Sequence, residues 1–415
     1  MDTVTRERPY RRLAVGLIRR EAGKPDMARN CPDLITMMKQ LIETASISSV
    51  QPALDMSNLP VIELLAGWLE DLGFAVEVPA VPNEPGKANL IARIGAGTGG
   101  LVLAGHTDTV PCDEHLWSHD PFQLTETDGR LYGLGTADMK AFLALALEAA
   151  RHENAKTLTA PLTILATADE ESSMTGAKAL VAQGKSLGQH AIIGEPTGLK
   201  PVRMHKGIMM DAIAIHGRSG HSSDPSLGAN AMEAAHAVIG DLMKWRGEIR
   251  ARESNAAFAV PYATLNLGHI HGGDNPNRIC GDCEIHIDLR PLPGMDTEEL
   301  REELRARVRR VLENTPFELE FRVLFDGIPA LETAADAAIV SAAETLTGQD
   351  SSAVAFGTEG PYFKKLGTDT IILGPGDIEQ AHQPDEYLAL DTIQPTLQIL
   401  EGMIQRFCHS DKSRR

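Results

Sequence analysis

The segment Thr167-Ala-Asp-Glu-Glu-Ser172 sets three acids side by side directly after the apolar run Pro161-Leu-Thr-Ile-Leu-Ala166. Adjacent carboxylates repel one another, so Asp169, Glu170 and Glu171 at a strand end raise the question of what holds them there. Other loops carry similar groups: Gly105-His106-Thr107-Asp108-Thr109, Asp138 in Gly133-Leu-Gly-Thr-Ala-Asp-Met-Lys140, Gly194-Glu195-Pro196-Thr197, and His382 in the stretch from Gly374 to Glu386. Singly, each has an ordinary reading. Asp138 could cap a helix beginning at Met139, His106 could be a satisfied loop histidine, and Glu195 a surface acid. Together, several carboxylates without a nearby Lys or Arg call for positive charge, and divalent cations with imidazole and carboxylate ligands supply it. Two ions about 3.5–4 Å apart need one shared carboxylate and terminal ligands on each side. Two histidines and three acids meet that count.

The elements that must position these loops are readable. Gly100–Gly105, Pro161–Ala168 and Ala191–Gly194 are short, continuously apolar runs, as expected of strands covered on both faces. Helical patterns over Val61–Leu72 and Lys140–Arg151 alternate with them, which predicts a mostly parallel sheet with ligands at the carboxyl ends of its strands. After about residue 206 the pattern changes. Strands over Ile208–Ile215, Thr264–Ile270, Cys283–Leu289 and Phe317–Leu324 alternate with helices over Ala229–Lys244 and Thr297–Leu312, the β-α-β-β-α-β order of a ferredoxin-like unit. Helix–strand alternation then resumes at Asp336–Leu346, Thr370–Leu373 and Thr392–Phe407. The expected architecture is an α/β catalytic domain with a mostly parallel mixed sheet over 31–206 and 327–415, interrupted by a ferredoxin-like α+β dimerisation and lid domain over 207–326.

Residues 1–30 form an N-terminal extension in this reading. It is rich in Arg, but Asp2, Glu7, Glu21 and Asp26 argue against an organelle transit peptide, and Leu13–Ile18 is too short for a signal-peptide core. Either the segment is a loosely attached extension or Met27 is the real start, and the second reading is preferred. The formal charge of -18 argues against a nucleic-acid partner, because a phosphate backbone would be repelled, and no apolar stretch is long enough to span a bilayer. Five cysteines in 415 residues make no disulfide framework, which fits a reducing cytoplasm. Cys280 and Cys283 have opposite parity along a strand, so their sulfurs are expected to face apart and not to chelate.

The motifs G-H-T-D-T-V-P, G-L-G-T-A-D-M-K, A-T-A-D-E-E, I-G-E-P-T, S-G-H-S-S-D-P, G-G-D-N-P-N-R-I-C, L-R-P-L-P-G and A-H-Q-P-D-E-Y resemble those of the co-catalytic zinc amidohydrolases, an aminoacylase-like metallopeptidase family. The likeness runs from about Asp33 to Phe407. The A-H-Q-P-D-E-Y and G-H-I-H-G-G-D stretches resemble the branch that deacetylates N2-acetyl-L-ornithine. The resemblance implies two zinc ions per chain, with cobalt as an alternative: His106, Asp138 and Glu195 for one, and His382, Asp138 and Glu171 for the other. Asp108 would orient His106, and Glu170 would be the general base toward a metal-activated water and the leaving amine. His221 would reach the neighbouring subunit's site of a homodimer. Asn277 and Arg290 would lie near the substrate carboxylate, and Glu359 could meet the substrate's distal ammonium. Glu170 and Glu171, on an extended segment, would point different ways, and Asp169 would be structural.

The implied activity is hydrolysis of N2-acetyl-L-ornithine to L-ornithine and acetate, a cytoplasmic step of arginine synthesis. Rivals remain. One is a related amidohydrolase with another acyl preference, of which a desuccinylase would need extra cationic groups for the succinyl carboxylate. A non-catalytic metal-binding scaffold would be expected to lack the base or a ligand. A nucleophile pair at Ser219-Gly-His221 lacks the G-x-S-x-G elbow.

Overall fold

The computed structural model describes residues 31–410. The extension over 1–30, with Met27, lies outside the described residues. A nine-stranded sheet runs in the order Ala75–Glu77, Leu90–Ile94, Leu162–Thr167, Leu101–His106, His190–Pro196, Asp369–Gly374, Val202–His205 and Leu331–Glu332, with Ser352–Val354 also paired to Val202–His205. The four strands from Leu162–Thr167 to Asp369–Gly374 are mutually parallel, whereas the strands joining them on either side are antiparallel. The sheet is thus parallel at its centre rather than throughout.

Its two faces explain the unbroken apolar runs. Leu101, Leu103, Leu162 and Ile164 enter one core with the helices Leu34–Glu43, Leu59–Asp71, Lys140–Ala150, Ala338–Thr347 and Ile393–Cys408. Val102, Ala104, Leu165, Ala191 and Ile193 enter a second core on the other face, with Leu180 and Phe363 from the helices Thr175–Ala182 and Gly360–Lys365. Successive side chains alternate faces, and both faces are buried.

Between the strands Val202–His205 and Leu331–Glu332 the chain builds a separate four-stranded antiparallel sheet. Its order is Thr264–Gly272, Asp282–Arg290, Ile208–His216 and Glu318–Ile328, and the helices Ala231–Arg252 and Thr297–Val311 pack on one face. This is the ferredoxin-like arrangement. Cys283, Ile285, Ile287 and Leu289 face the helices, while Glu284, His286 and Asp288 alternate to the other side. Asp211 and Arg301 form a buried ion pair at 3.0 Å between sheet and helix. The first helix extends to Arg252, beyond the expected Lys244. Trp245 and Ile249 continue the buried stripe of Val238 and Leu242 under a charged surface.

The parity argument for the cysteine pair fails in detail. The strand begins at Asp282, so alternation does not reach Cys280. Both cysteines enter the same core, where the Cys280 thiol lies 3.1 Å from the Asp282 carbonyl. All five cysteines are free. Among the described residues, no helix is long and apolar enough to cross a membrane.

One close approach brings the functional loops into register. Gly194, the residue before Glu195, lies against the ring of Phe142 on the helix that follows Asp138. A Cβ at Gly194 would sit 2.0 Å from Phe142 Cγ. We expect Gly194→Ala to lower stability by about 1–3 kcal/mol, the cost of overpacking a filled core, measured by urea unfolding. An unchanged midpoint would show that this contact does not set the helix–strand spacing.

Candidate metal centre

Four adjacent parallel strands end at the site. His106 is the last residue of Leu101–His106, Glu195 is the penultimate residue of His190–Pro196, and the acid run follows Thr167. The loop after Gly374 carries His382. Asp138 comes from the loop ahead of Lys140–Ala150, where Met139 rather than Asp138 occupies the cap position. Its carboxylate is turned to the histidines instead of the helix.

The structure brings the five sequence-expected ligand residues into two groups that share Asp138. In the first, His106 Nε2 lies 3.1 Å from Asp138 Oδ1 and 3.9 Å from Glu195 Oε1. In the second, His382 Nε2 lies 3.0 Å from Glu171 Oε2 and 3.4 Å from Asp138 Oδ2. Within each group the donor atoms fall within 4.8 Å of one another. His106, Asp138 and Glu195 are buried, and His382 is exposed.

Such a group is electrostatically poor without added positive charge. Burial, and then the charge of Glu195, push the Glu170 carboxyl well above its ordinary range. Burial and the Asp138 charge do the same to Glu195 and, less strongly, to Glu171. Burial also opposes the charge on Asp138, but the bonds from His106 and His382 outweigh it and hold its carboxyl low. The bonds to Asp138 and Glu171 raise His382 to about 10. Burial disfavours the His106 cation, yet the bond to Asp138 and the surrounding carboxylates, Asp108 first, lift it well above the usual value. The donor set therefore fits divalent cations in place of protons: imidazole and carboxylate ligands, one carboxylate common to two triads, and negative charge seeking compensation.

The acid run is not extended. Thr167 ends the strand, and Asp169 adopts a left-handed conformation with φ of 56°. The Ser173 and Met174 N–H groups bond back to its carbonyl at 3.1 and 2.7 Å. Glu170 and Glu171 diverge because they occupy a turn. Asp169 anchors that turn: its carboxylate accepts Lys87 Nζ at 2.6 Å, Ser48 Oγ at 2.9 Å and Thr175 Oγ1 at 3.1 Å. Cations do approach the acids, contrary to the sequence reading. Lys87 is distant in sequence. Lys140, two residues from Asp138, is buried with its ammonium on the Thr44 carbonyl at 2.8 Å, and burial lowers its pKa to about 7.

Asp108 touches His106 differently from expectation. Its backbone carbonyl, not its carboxylate, meets His106 Nδ1 at 3.0 Å; the nearer carboxylate oxygen stands at 3.7 Å without a hydrogen-bond partner. The other oxygen accepts the Glu171 N–H at 3.0 Å, so Asp108 joins the histidine loop to the acid turn. Glu359 is fully buried rather than lining an open site. Thr167 donates its hydroxyl to Oε2 at 2.8 Å, Oε1 has no partner, and burial raises the pKa to about 7.

The remaining expected residues do not meet the cluster within this chain. His221 is exposed and bonded to Ser223 Oγ at 2.7 Å. Asn277 accepts the Ser222 N–H through its carbonyl at 3.0 Å, so these two loops of the inserted unit lie together. The Arg290 guanidinium is held by both oxygens of Asp288, at 2.7 and 2.9 Å. Glu386 was not singled out in the sequence. Its carboxylate accepts three backbone N–H groups of the Asp138 loop, and no local motif besides its place in A-H-Q-P-D-E-Y signals this.

With this geometry in place, comparisons carry weight. An acetylornithine deacetylase of Pectobacterium carotovorum subsp. carotovorum is 51% identical over 383 residues, covering 92% of this chain and 100% of that one. One from Proteus mirabilis is 48% identical over 383 residues, covering 92% and 99%. Among solved structures, a Bacillus subtilis dinuclear metal-binding peptidase of the M20 family superposes with a TM-score of 0.62 at 17% identity, covering 89% of this chain and 96% of that one. An aminopeptidase of Bacillus cereus does so with a TM-score of 0.70 at 20% identity, covering 91% and 98%. Residues 102–406 match the sequence pattern of Peptidase family M20/M25/M40, and the chain belongs to that family.

Proposed function

We propose that the protein hydrolyses N2-acetyl-L-ornithine to L-ornithine and acetate in the cytoplasm, as a step of arginine synthesis. The observation that carries the hydrolytic reading is the pair of triads sharing Asp138, with Glu170 beside them. Roughly half-identical, full-length relatives named acetylornithine deacetylase support the substrate.

His106, Asp138 and Glu195 would hold one divalent ion, and His382, Asp138 and Glu171 the other, with zinc the proposed metal and cobalt a substitute. When bound, such ions polarise a carbonyl and lower the pKa of water. Glu170 would accept the proton of the attacking water and deliver it to the departing amine nitrogen, a role open to a buried carboxylate that belongs to neither triad. The backbone carbonyl of Asp108 fixes the His106 ring through Nδ1, leaving Nε2 for the ligand role.

The lid residues are proposed to complete the site from a second copy. The edge strand Thr264–Gly272 exposes Ile270 and is unpaired on its outer side, which suits strand pairing in a homodimer. His221 would then act in trans on the developing oxyanion. Asn277 and Arg290 would bind the substrate carboxylate once Arg290 exchanges its hold on Asp288. For Glu359, a supporting role through Thr167 fits its burial better than direct contact with the substrate ammonium.

Chelation should abolish activity and zinc or cobalt should restore it. In a substrate comparison, N2-acetylornithine should exceed N-acetylmethionine and succinyl-diaminopimelate in kcat/KM. Full activity in metal-free protein overturns the metal reading, and preference for the succinyl substrate overturns the specificity.

The two glutamates should separate. Glu170→Gln should cost kcat about 10²–10⁴-fold, the usual contribution of general acid–base catalysis, while two ions still bind. Glu171→Gln should instead weaken the second ion and recover partly in excess metal. Metal loss confined to Glu170→Gln would reverse the assignment.

Mixing His221→Ala with Glu170→Ala chains should regain activity through hybrid dimers. No recovery after demonstrated subunit exchange would place the whole site in one chain.

A further inference from the structure

We infer that Glu386 is the positioning residue of the centre, fixing the Asp138 loop so that one carboxylate faces both histidines; this rests on the metal reading above. One oxygen of Glu386 accepts three backbone N–H groups, those of Gly135 at 3.0 Å, Ala137 at 2.7 Å and Asp138 at 3.0 Å. The Gly133 N–H donates to the Glu386 carbonyl at 3.0 Å, so both main chain and side chain of this residue grip the loop. The loop is non-helical, with Gly133 and Gly135 at φ of 151° and 90°, and its amides converge inward as in other backbone anion cradles. Glu386 is 1% exposed, and among the described residues its carboxylate is the acceptor that these three amides meet.

The surroundings make the grip a hinge point between two ligand loops. Tyr387–Ala389, directly after Glu386, pairs with Arg130–Tyr132, directly before Gly133, in a small three-stranded sheet with Thr125–Thr127. His382 stands four residues ahead of Glu386. The same short segment therefore supplies one ligand and orients the backbone of another. The neighbouring Asp385 takes the Ser118 and His119 N–H groups at 2.8 and 3.1 Å, which pins the segment from its other side. Asp138 must keep Oδ1 at 3.1 Å from His106 and Oδ2 at 3.4 Å from His382, and a rotated peptide at Asp138 would lose one of them.

The test uses full-length Glu386→Ala and Glu386→Gln. Zinc is titrated calorimetrically into chelator-treated protein, amide exchange of residues 133–138 is measured in the metal-free state, and thermal unfolding is recorded. Glu386→Ala should speed exchange of the Gly135, Ala137 and Asp138 amides and weaken zinc binding about 10–100-fold, the range found when groups that orient metal ligands are removed. Glu386→Gln keeps one carbonyl oxygen and should fall between wild type and Ala; it carries the test if the Ala variant does not fold. A lower melting temperature with unchanged zinc affinity would make Glu386 merely structural and overturn the inference, as would unchanged exchange. The metal-free exchange measurement separates the two readings. If the wild type takes up no zinc, the metal assignment falls, and protection of these amides that depends on Glu386 still upholds the clamp.

Discussion

Everything at the sheet edge answers to one constraint: Asp138, Glu170, Glu171 and Glu195 are carboxylates gathered where water is largely excluded. Mutual repulsion and desolvation both act against their charged forms. Protons on some of them, or cations among them, relieve it. The arrangement favours cations, because the oxygens and two imidazoles form two groups that share Asp138. Lys87 and Lys140, the cations described beside these loops, do not fill this role. Lys87 is spent on Asp169 and Asp55, and Lys140 on a backbone carbonyl, each beneath or beside the loops and outside the triads.

The scaffold meets the constraint by flanking three of the reactive loops with acids that tie them to other parts of the chain. Asp169 precedes Glu170 and ties the turn to Lys87, Ser48 and Thr175. Asp108 follows His106 and takes the Glu171 amide. Asp385 and Glu386 follow His382 and hold two further loops. Removing one partner from a buried pair such as Lys87–Asp169 leaves an uncompensated charge, so these anchors are costly to alter although they touch no ligand atom. The run Asp169-Glu170-Glu171 is thus three jobs in sequence: an anchor, a group beside the triads and a member of one triad.

Much of this was legible beforehand for a definite physical reason. Continuous apolar strands and period-2 strands differ in pattern because one sheet is covered on both faces and the other on one. That difference marked the inserted unit near residue 206. The strand-end acids and histidines were legible because a parallel sheet gathers its carboxyl ends. The strands Ala75–Glu77 and Leu90–Ile94 and the small sheet at Tyr387–Ala389 were not, being too short to show a period. Lys87, Glu359 and Glu386 share another obstacle. Their partners lie 82, 192 and about 250 residues away, and a single charged residue does not reveal a distant one.

The same distance problem separates the two parts of the centre. The triads close within one chain because neighbouring strands of one sheet lead into the loops of His106, Glu171, Glu195 and His382, and the loop ahead of the helix Lys140–Ala150 adds Asp138. His221 and Asn277 sit on loops of the other sheet and bond to each other's neighbourhood, not to the acids. Arg290 is neutralised by Asp288 in its own strand. A substrate carboxylate needs cationic or amide partners, and the acidic side chains of the triads do not offer them. In the proposed homodimer those partners come from the inserted unit of a second copy. On that proposal the ion-binding groups rest on the large sheet and the carboxylate-binding groups on the small one.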